Sequence, residues 1–366
     1  MMRAWKNFNH WIVSWGYAIL NGLPANRLSV IGVTGTDGKT TTCHLIYEML
    51  KTAGFKVALI STVAAYIGDE EVDTGFHVTT PDARLLQPLL KRIADRGFTH
   101  LVLEVTSHGL DQNRLAGIGF EVGIITNITH EHLDYHQTFE KYKETKMKLL
   151  RMAKRPIFKY EKTKIKISNP ALPGEYNKYN VGAAEAVVRI FGVQYSVIGE
   201  VVKKFAGVPG RMEEVRLGQK FRAIVDFAHT PNALENVLKT LSNQLTNNHQ
   251  LILVFGCAGL RDHTKRPMMG EIARRLADVA IVTAEDPRTE SLDDIYNQII
   301  SNIQYPISNI YREDDRQKAI NLAIGMAKPG DIVVVTGKGH EKSMCFGKIE
   351  YPWSDREAIV MAIDKS

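Results

Sequence analysis

From residue 28 onward, short apolar runs alternate with stretches of helical periodicity. LSVIGVTG (28–35), KVALIST (56–62), THLVLEVTS (99–107) and VGIITNIT (122–129) are uninterrupted enough to be strands buried on both faces. Between them, TTCHLIYEMLKTAG (41–54) and FEKYKETKMKLLRMA (139–153) carry apolar residues in steps of three and four. A turn-rich, basic stretch follows at about 151–173, and NKYNVGAAEAVVRIFG (177–192) again reads as a helix. Near Gly207 a second series begins: strands at 222–229, 250–259, 279–286 and 331–339 with helical segments between them. The pattern predicts an α/β protein with a central phosphate-loop domain built on a mostly parallel sheet (29–206). A Rossmann-like α/β domain follows it (207–366). In such sheets ligands bind at the carboxyl ends of strands.

The first 28 residues differ in texture. Trp5, Phe8, Trp11, Ile12, Trp15, Ile19 and Leu20 recur at helical spacing, which predicts an amphipathic aromatic helix over 1–28. Polar interruptions and the lack of a small-residue cleavage site argue against a signal peptide. The helix packs on the protein's own core or on a partner, or rests at a membrane interface.

Composition narrows the class. At 366 residues the chain has room for two to three domains. A net charge of +6 suits an anionic substrate such as ATP, and no basic run with interleaved aromatics points to nucleic acid. Cys43, Cys257 and Cys345 lie far apart, which excludes a disulfide framework and a cysteine zinc site and makes the cytoplasm the expected compartment. No apolar run is long enough to span a bilayer.

Four features carry chemistry. GTDGKTT (Gly35, Thr36, Asp37, Gly38, Lys39, Thr40 and Thr41) lies between a buried strand and a helix, where backbone amides and a helix N-terminus cradle phosphates. It is the short form, because position 33 is Val rather than Gly. Glu104 ends a strand, where its carboxylate could hold Mg²⁺. The run from Asn127 to His136 includes His130, His132 and His136. Their spacing is no familiar zinc signature, and one histidine helping to hold a nucleotide-linked metal fits better. Lys146 falls on the apolar stripe of its helix, where it either snorkels or is buried for a reason.

Taken together, these motifs resemble the Mur ligase family. GTDGKTT (35–41), TTP (79–81), EVTSHGL (104–110), TNITHEHLDYH (126–136) and Lys146 appear in the family's order. So do PGRME (209–213), DFAHTP (226–231), GCAGLRDHTKRP (256–267), EDPR (285–288) and GKGHE (337–341). The branch resembled adds the third peptide residue to UDP-N-acetylmuramoyl-dipeptide in peptidoglycan synthesis. The resemblance implies an ATP-dependent ligase that makes an amide through an acyl-phosphate. Lys39 and Thr40 would bind ATP phosphates and Mg²⁺, Glu104 would ligate Mg²⁺, and His132 would ligate a second Mg²⁺. Lys146 would carry a CO₂-derived carbamate. Asn127, Asn177, Arg211, Asp226 and His229 would contact nucleotide. Thr79, Thr80, Ser107 and Arg114 would face the acceptor carboxylate. Arg261, Asp286, Arg288, Gly337 and Glu341 would receive the incoming amino acid. A monomer working on small-molecule substrates is implied.

The chain departs from the family in two places. About 28 residues stand where the family carries a UDP-holding domain of about a hundred, so a lipid-linked or other acidic acceptor stays open and the aromatic helix would suit peripheral membrane contact. EDPR replaces the DNPR of diaminopimelate-adding enzymes. Arg288 still suits a diacidic amino acid, while Asp286 could favour a more cationic amine such as lysine. Three other readings stand beside this one: a folylpolyglutamate-synthetase-like ligase, an ATP-binding scaffold that has lost catalysis, and a phosphate-loop transport or motor ATPase, which would hydrolyse ATP without any amine.

Overall fold

The computed structural model describes residues 2–73, 80–129, 131–246, 248–303 and 309–365. The chain divides into two compact units. Met1–Thr129 and Thr138–Ala206 form the first; His130–Gln137 and Gly207–Ser366 form the second.

The first unit holds strands β1 (Ser29–Thr34), β2 (Val57–Ile60), β3 (Ala65–Ile67), β4 (Glu70–Val72), β5 (His100–Glu104), β6 (Phe120–Ile125) and β7 (Ala153–Ile157). Its helices are α1 (Met2–Leu20), α2 (Lys39–Thr52), α3 (Ala83–Asp95), α4 (Ser107–Asp111), α6 (Phe139–Met152), α7 (Glu175–Ile190) and α8 (Tyr195–Lys204). The short α5 (Leu133–His136) belongs to the second unit. The sheet order is β4-β3-β2-β5-β1-β6-β7, parallel from β2 to β7 and antiparallel at β3 and β4. In β2, β5 and β1 nearly every residue is buried, as expected for strands covered by helices on both faces. The chain leaves β1 toward β2 on one side and leaves β6 toward β7 on the other. The crevice at the carboxyl ends of β1 and β6 is therefore a topological switch point, the usual ligand position in such sheets.

The basic stretch at 151–173 is not all turn, since β7 occupies part of it. With the sequence AKRPI, it is a polar, exposed edge strand, and Pro156 is tolerated there because an edge strand can spare a donor.

The second unit holds β8 (Glu213–Val215), β9 (Arg222–Asp226), β10 (Leu251–Phe255), β11 (Val279–Val282), β12 (Ile310–Arg312), β13 (Ile332–Thr336), β14 (Ser343–Phe346) and β15 (Ile349–Pro352). Around them lie α9 (Pro231–Ser242), α10 (Arg266–Leu276), α11 (Leu292–Ile300), α12 (Arg316–Met326) and α13 (Asp355–Ile363). The sheet order is β12-β11-β10-β13-β9-β8, parallel except at β8, and β14 and β15 form a separate hairpin. Apolar clusters cover both faces of this sheet. One is built around Leu238, Leu253, Ile272 and Ile299, the other around Val225, Ile320, Val333 and Ile359. The fold matches the α/β expectation in both units.

Candidate active site

In the first unit, three adjacent strand ends build the site. Register pairs Val33 of β1 with Glu104 of β5 and Thr34 of β1 with Ile125 of β6, so Glu104 and the segment after Ile125 flank the loop that follows β1. That loop is held from its sides. Asn127 accepts from Asp37 N at 2.9 Å through Oδ1 and donates to Asp37 O at 3.2 Å through Nδ2. Thr126 Oγ1 donates to Asp37 O at 2.7 Å, and Thr129 N donates to Thr36 Oγ1 at 2.9 Å. Gly38 starts α2 at φ +78° and offers no capping side chain, which sets the N-terminus of α2 at the loop, a position that suits an anionic ligand. A Cβ at Gly38 would stand 2.2 Å from Asn180 Oδ1, a second reason that only glycine fits. Asn180 in turn donates to Asn177 Oδ1 at 2.9 Å. Sequence reading missed Asn180; its signal was its place three residues after Asn177 on the same helix.

Lys39 Nζ donates to Thr36 O at 2.8 Å, folded over the loop it would serve. Thr40 Oγ1 donates to Glu104 Oε1 at 3.1 Å, and Thr62 N donates to Glu104 Oε2 at 3.0 Å. Hydroxyl and carboxylate oxygens side by side, both buried, are hard donors that suit Mg²⁺. Behind the loop, Lys146 is 2 % exposed, donates to Gly35 O at 2.6 Å and lies 4.6 Å from the centre of the Tyr142 ring. It does not snorkel. Tyr142 Oη meets Thr36 Oγ1 at 3.0 Å.

Thr80 receives Thr106 N at 2.9 Å and Arg114 Nη1 donates to Thr80 O at 2.8 Å. Ser107 is buried at the start of α4, whose N-cap is Thr106. Thr80, Ser107 and Arg114 thus share one corner beyond β5. Thr79 lies outside the described residues.

In the second unit, His132 has φ +56° and opens α5, with Nδ1 3.8 Å from Glu131 Oε1. Leu133 N donates to Asp262 Oδ2 at 3.1 Å, and Lys265 Nζ donates to Glu131 Oε1 at 3.1 Å, so this segment is tied to the loop after β10. His130 lies outside the described residues, and among those described no group of three or more His, Cys, Asp or Glu is placed to hold a metal ion.

Asp226 ends β9 and accepts from Met212 N at 2.7 Å and Ala228 N at 2.8 Å. Arg211 stacks 4.2 Å from the Phe227 ring centre. His229 is held neutral: burial, then the Lys265 cation, drive its pKa down to about 3.

At the carboxyl ends of β10, β11 and β13 the EDPR and GKGHE segments meet. Asp286 Oδ1 accepts from Lys338 Nζ at 2.8 Å and Cys345 N at 2.9 Å. Lys338 also pairs with Glu341. The expectation that Asp286 would attract a cationic amine therefore meets a carboxylate whose charge Lys338 already offsets. Arg288 donates to Gly259 O at 2.7 Å and keeps a fifth of its side chain exposed, while Arg261 is exposed. Gly337 (φ +108°) admits no side chain, because a Cβ would stand 2.1 Å from Glu285 Oε2. Burial lifts the Glu285 carboxyl to about 8 against the pull of Arg316, Lys265 and Lys338. Glu285 and Lys338 were not singled out by sequence, since nothing local marks their convergence.

Comparison with known proteins places these motifs. The Mur ligase middle domain matches residues 33–158, and the Mur ligase glutamate ligase domain matches residues 210–339. A UDP-N-acetylmuramoyl-L-alanyl-D-glutamate–2,6-diaminopimelate ligase of Clostridium acetobutylicum is 36% identical over 382 residues, covering 92% of this chain and 78% of its own. A solved structure of a ligase of that name superposes with a TM-score of 0.58 at 31% identity, covering 92% of this chain and 78% of that one. A bifunctional folylpolyglutamate synthase/dihydrofolate synthase from Yersinia pestis gives a TM-score of 0.72, covering 96% of this chain and 93% of its own. At 18% identity that likeness is one of fold alone. The chain belongs to the Mur ligase family, a family of ATP-dependent amide ligases that use ATP and Mg²⁺.

Proposed function

We propose that this ligase joins diaminopimelate to the free carboxylate of a UDP-muramoyl dipeptide, working as a cytoplasmic monomer. The observation that carries the reading is Thr40 against Glu104 beside the Gly38 turn, a buried oxygen pair at the N-terminus of α2. In the first unit the N-terminus of α2, Lys39, Asn127 and Asn177 would serve ATP; in the second unit Arg211, Asp226 and His229 are the nucleotide candidates. Thr40 and Glu104 would hold Mg²⁺, which would offset charge on the phosphates. His132 would ligate a second Mg²⁺, and Lys146 would carry a CO₂-derived carbamate. A carbamylated Lys146 keeps one N–H for Gly35 O while gaining a carboxylate, so the brace on the loop survives the modification.

Thr79, Thr80, Ser107 and Arg114 orient the acceptor carboxylate as it takes the γ-phosphoryl group. The amine then attacks the acyl-phosphate and phosphate leaves. Arg288 and Arg261 receive the distal carboxylate of the amino acid, with Asp286, Gly337 and Glu341 shaping the pocket. The exposed aromatic side of α1 is the surface through which the enzyme meets a membrane.

The test is phosphate release from ATP and Mg²⁺ with UDP-muramoyl dipeptide and a panel of diaminopimelate, lysine, ornithine and glutamate. Release that needs the acceptor and diaminopimelate supports the reading. Release with lysine in place of diaminopimelate contradicts the amine, and release that ignores every amine contradicts the ligase.

A further inference from the structure

Helix α1 is anchored on one side and bare on the other. Ser14 and Ala18 are buried, and Ala18 Cβ lies 2.7 Å from where a Cβ on Gly117 would stand. Asn7 Nδ2 donates to Asp111 Oδ2 at 3.2 Å, and Asn113 Nδ2 donates back to Asn7 O at 3.2 Å. Trp5, Phe8, Trp11, Ile12, Trp15 and Ile19 are 37 to 70 % exposed. At about 100° per residue these six fall within an arc of about 120°, so they form one continuous apolar stripe along the helix. A stripe of that size left in water marks an interaction surface.

We infer that this stripe docks on an anionic lipid surface. Its three indoles are amphipathic, with an apolar body and a donor N–H, the chemistry favoured at headgroup depth. The sequence of α1 contains Arg3, Lys6 and His10 and no carboxylate; by the same spacing these three fall on the opposite side of the helix from the stripe, so together with the chain's +6 they act as a long-range attraction to negative headgroups rather than as contacts. Among the described residues no helix is long and apolar enough to cross a membrane, so α1 lies along the surface. The docking uses no residue of either catalytic half and is independent of the ligase reading.

Three of the chain's four tryptophans lie on α1, so intrinsic fluorescence reports the stripe directly. The experiment mixes the full chain with vesicles of phosphatidylcholine, with and without an equal share of phosphatidylglycerol, at low salt. Expected are a blue shift, quenching by brominated lipid, and binding on the order of tenfold tighter to the anionic vesicles. The triple variant Trp5→Ser/Trp11→Ser/Ile12→Ser loses binding at least tenfold with an unchanged Tm. Arg3→Glu/Lys6→Glu loses the preference for phosphatidylglycerol. No shift with anionic vesicles overturns the inference. So does a dimer in light scattering that the triple variant dissolves, because the stripe then faces a second copy of the chain.

Discussion

Lys146 Nζ donates to the carbonyl of Gly35 at 2.6 Å, across 111 residues of sequence, and so braces the phosphate loop from behind. A buried ammonium is costly unless it is partnered, and here the loop carbonyl and the Tyr142 ring partner it. Lys146→Ala is expected to lose amine-dependent phosphate release by at least a hundredfold while costing about 1–3 kcal/mol of stability. Kinetics beside a denaturant melt separate the two effects. Recovery of activity by added short-chain carboxylates would mark the carbamate; recovery by added alkylamines would mark the ammonium instead.

Glu104 is joined to Thr40 and Thr62 through different oxygens. Glu104→Gln keeps an oxygen for one of them and removes the charge. The expected result is a Mg²⁺ requirement raised at least tenfold and turnover lowered by roughly a hundredfold, with Tm changed little. A Mg²⁺ titration of activity checks it, and an unchanged requirement contradicts the assignment.

Lys338 and Asp286 form a buried pair near Arg288. Lys338→Met leaves the buried Asp286 without its 2.8 Å partner, and is expected to destabilise the second unit by about 3–5 kcal/mol. Arg288→Ala removes a half-buried cation instead. It is expected to raise KM for diaminopimelate at least tenfold, leave KM for ATP near its starting value, and move Tm little. Equal effects on both substrates would place Arg288 outside the amino-acid pocket.

Glu285 and His229 set opposite pH trends. Glu285 titrates near 8 when folded, above its ordinary value of 4.5, so the folded chain holds the extra proton between those limits and stability falls as pH rises through that window. His229 titrates near 3 when folded against 6.5, so the unfolded chain holds the extra proton and stability is lost as pH falls from 6.5 toward 3. Each group contributes a slope of about 1.4 kcal/mol per pH unit inside its window. Glu285→Gln is expected to flatten the alkaline fall, measured by denaturant melts from pH 5 to about 9. A fall of the same slope in the variant contradicts the buried, protonated carboxyl.

Much of this was legible in the chain because the informative residues are contiguous. GTDGKTT sits between one buried strand and one helix, and the strand that ends in Glu104 and the strand just before Asn127 are runs of buried apolar residues. What escaped the sequence was non-local or polar. β7 is an exposed edge with a proline, so it has no strand periodicity. Asp286 looked like an open charge because its partner Lys338 is 52 residues away. The aromatic helix offered packing and membrane contact as alternatives. The structure gives one side of it to packing and leaves the other exposed.

The central claim is that the acceptor carboxylate attacks ATP. The most direct measurement uses UDP-muramoyl dipeptide with heavy oxygen in its free carboxylate, then mass analysis of the released phosphate in the presence of diaminopimelate. Transfer of one heavy oxygen into phosphate is the predicted result, because the acyl-phosphate route leaves that atom on the phosphate. Unlabelled phosphate, with all the heavy oxygen still in the acceptor, would mean that water attacks ATP and would contradict the account.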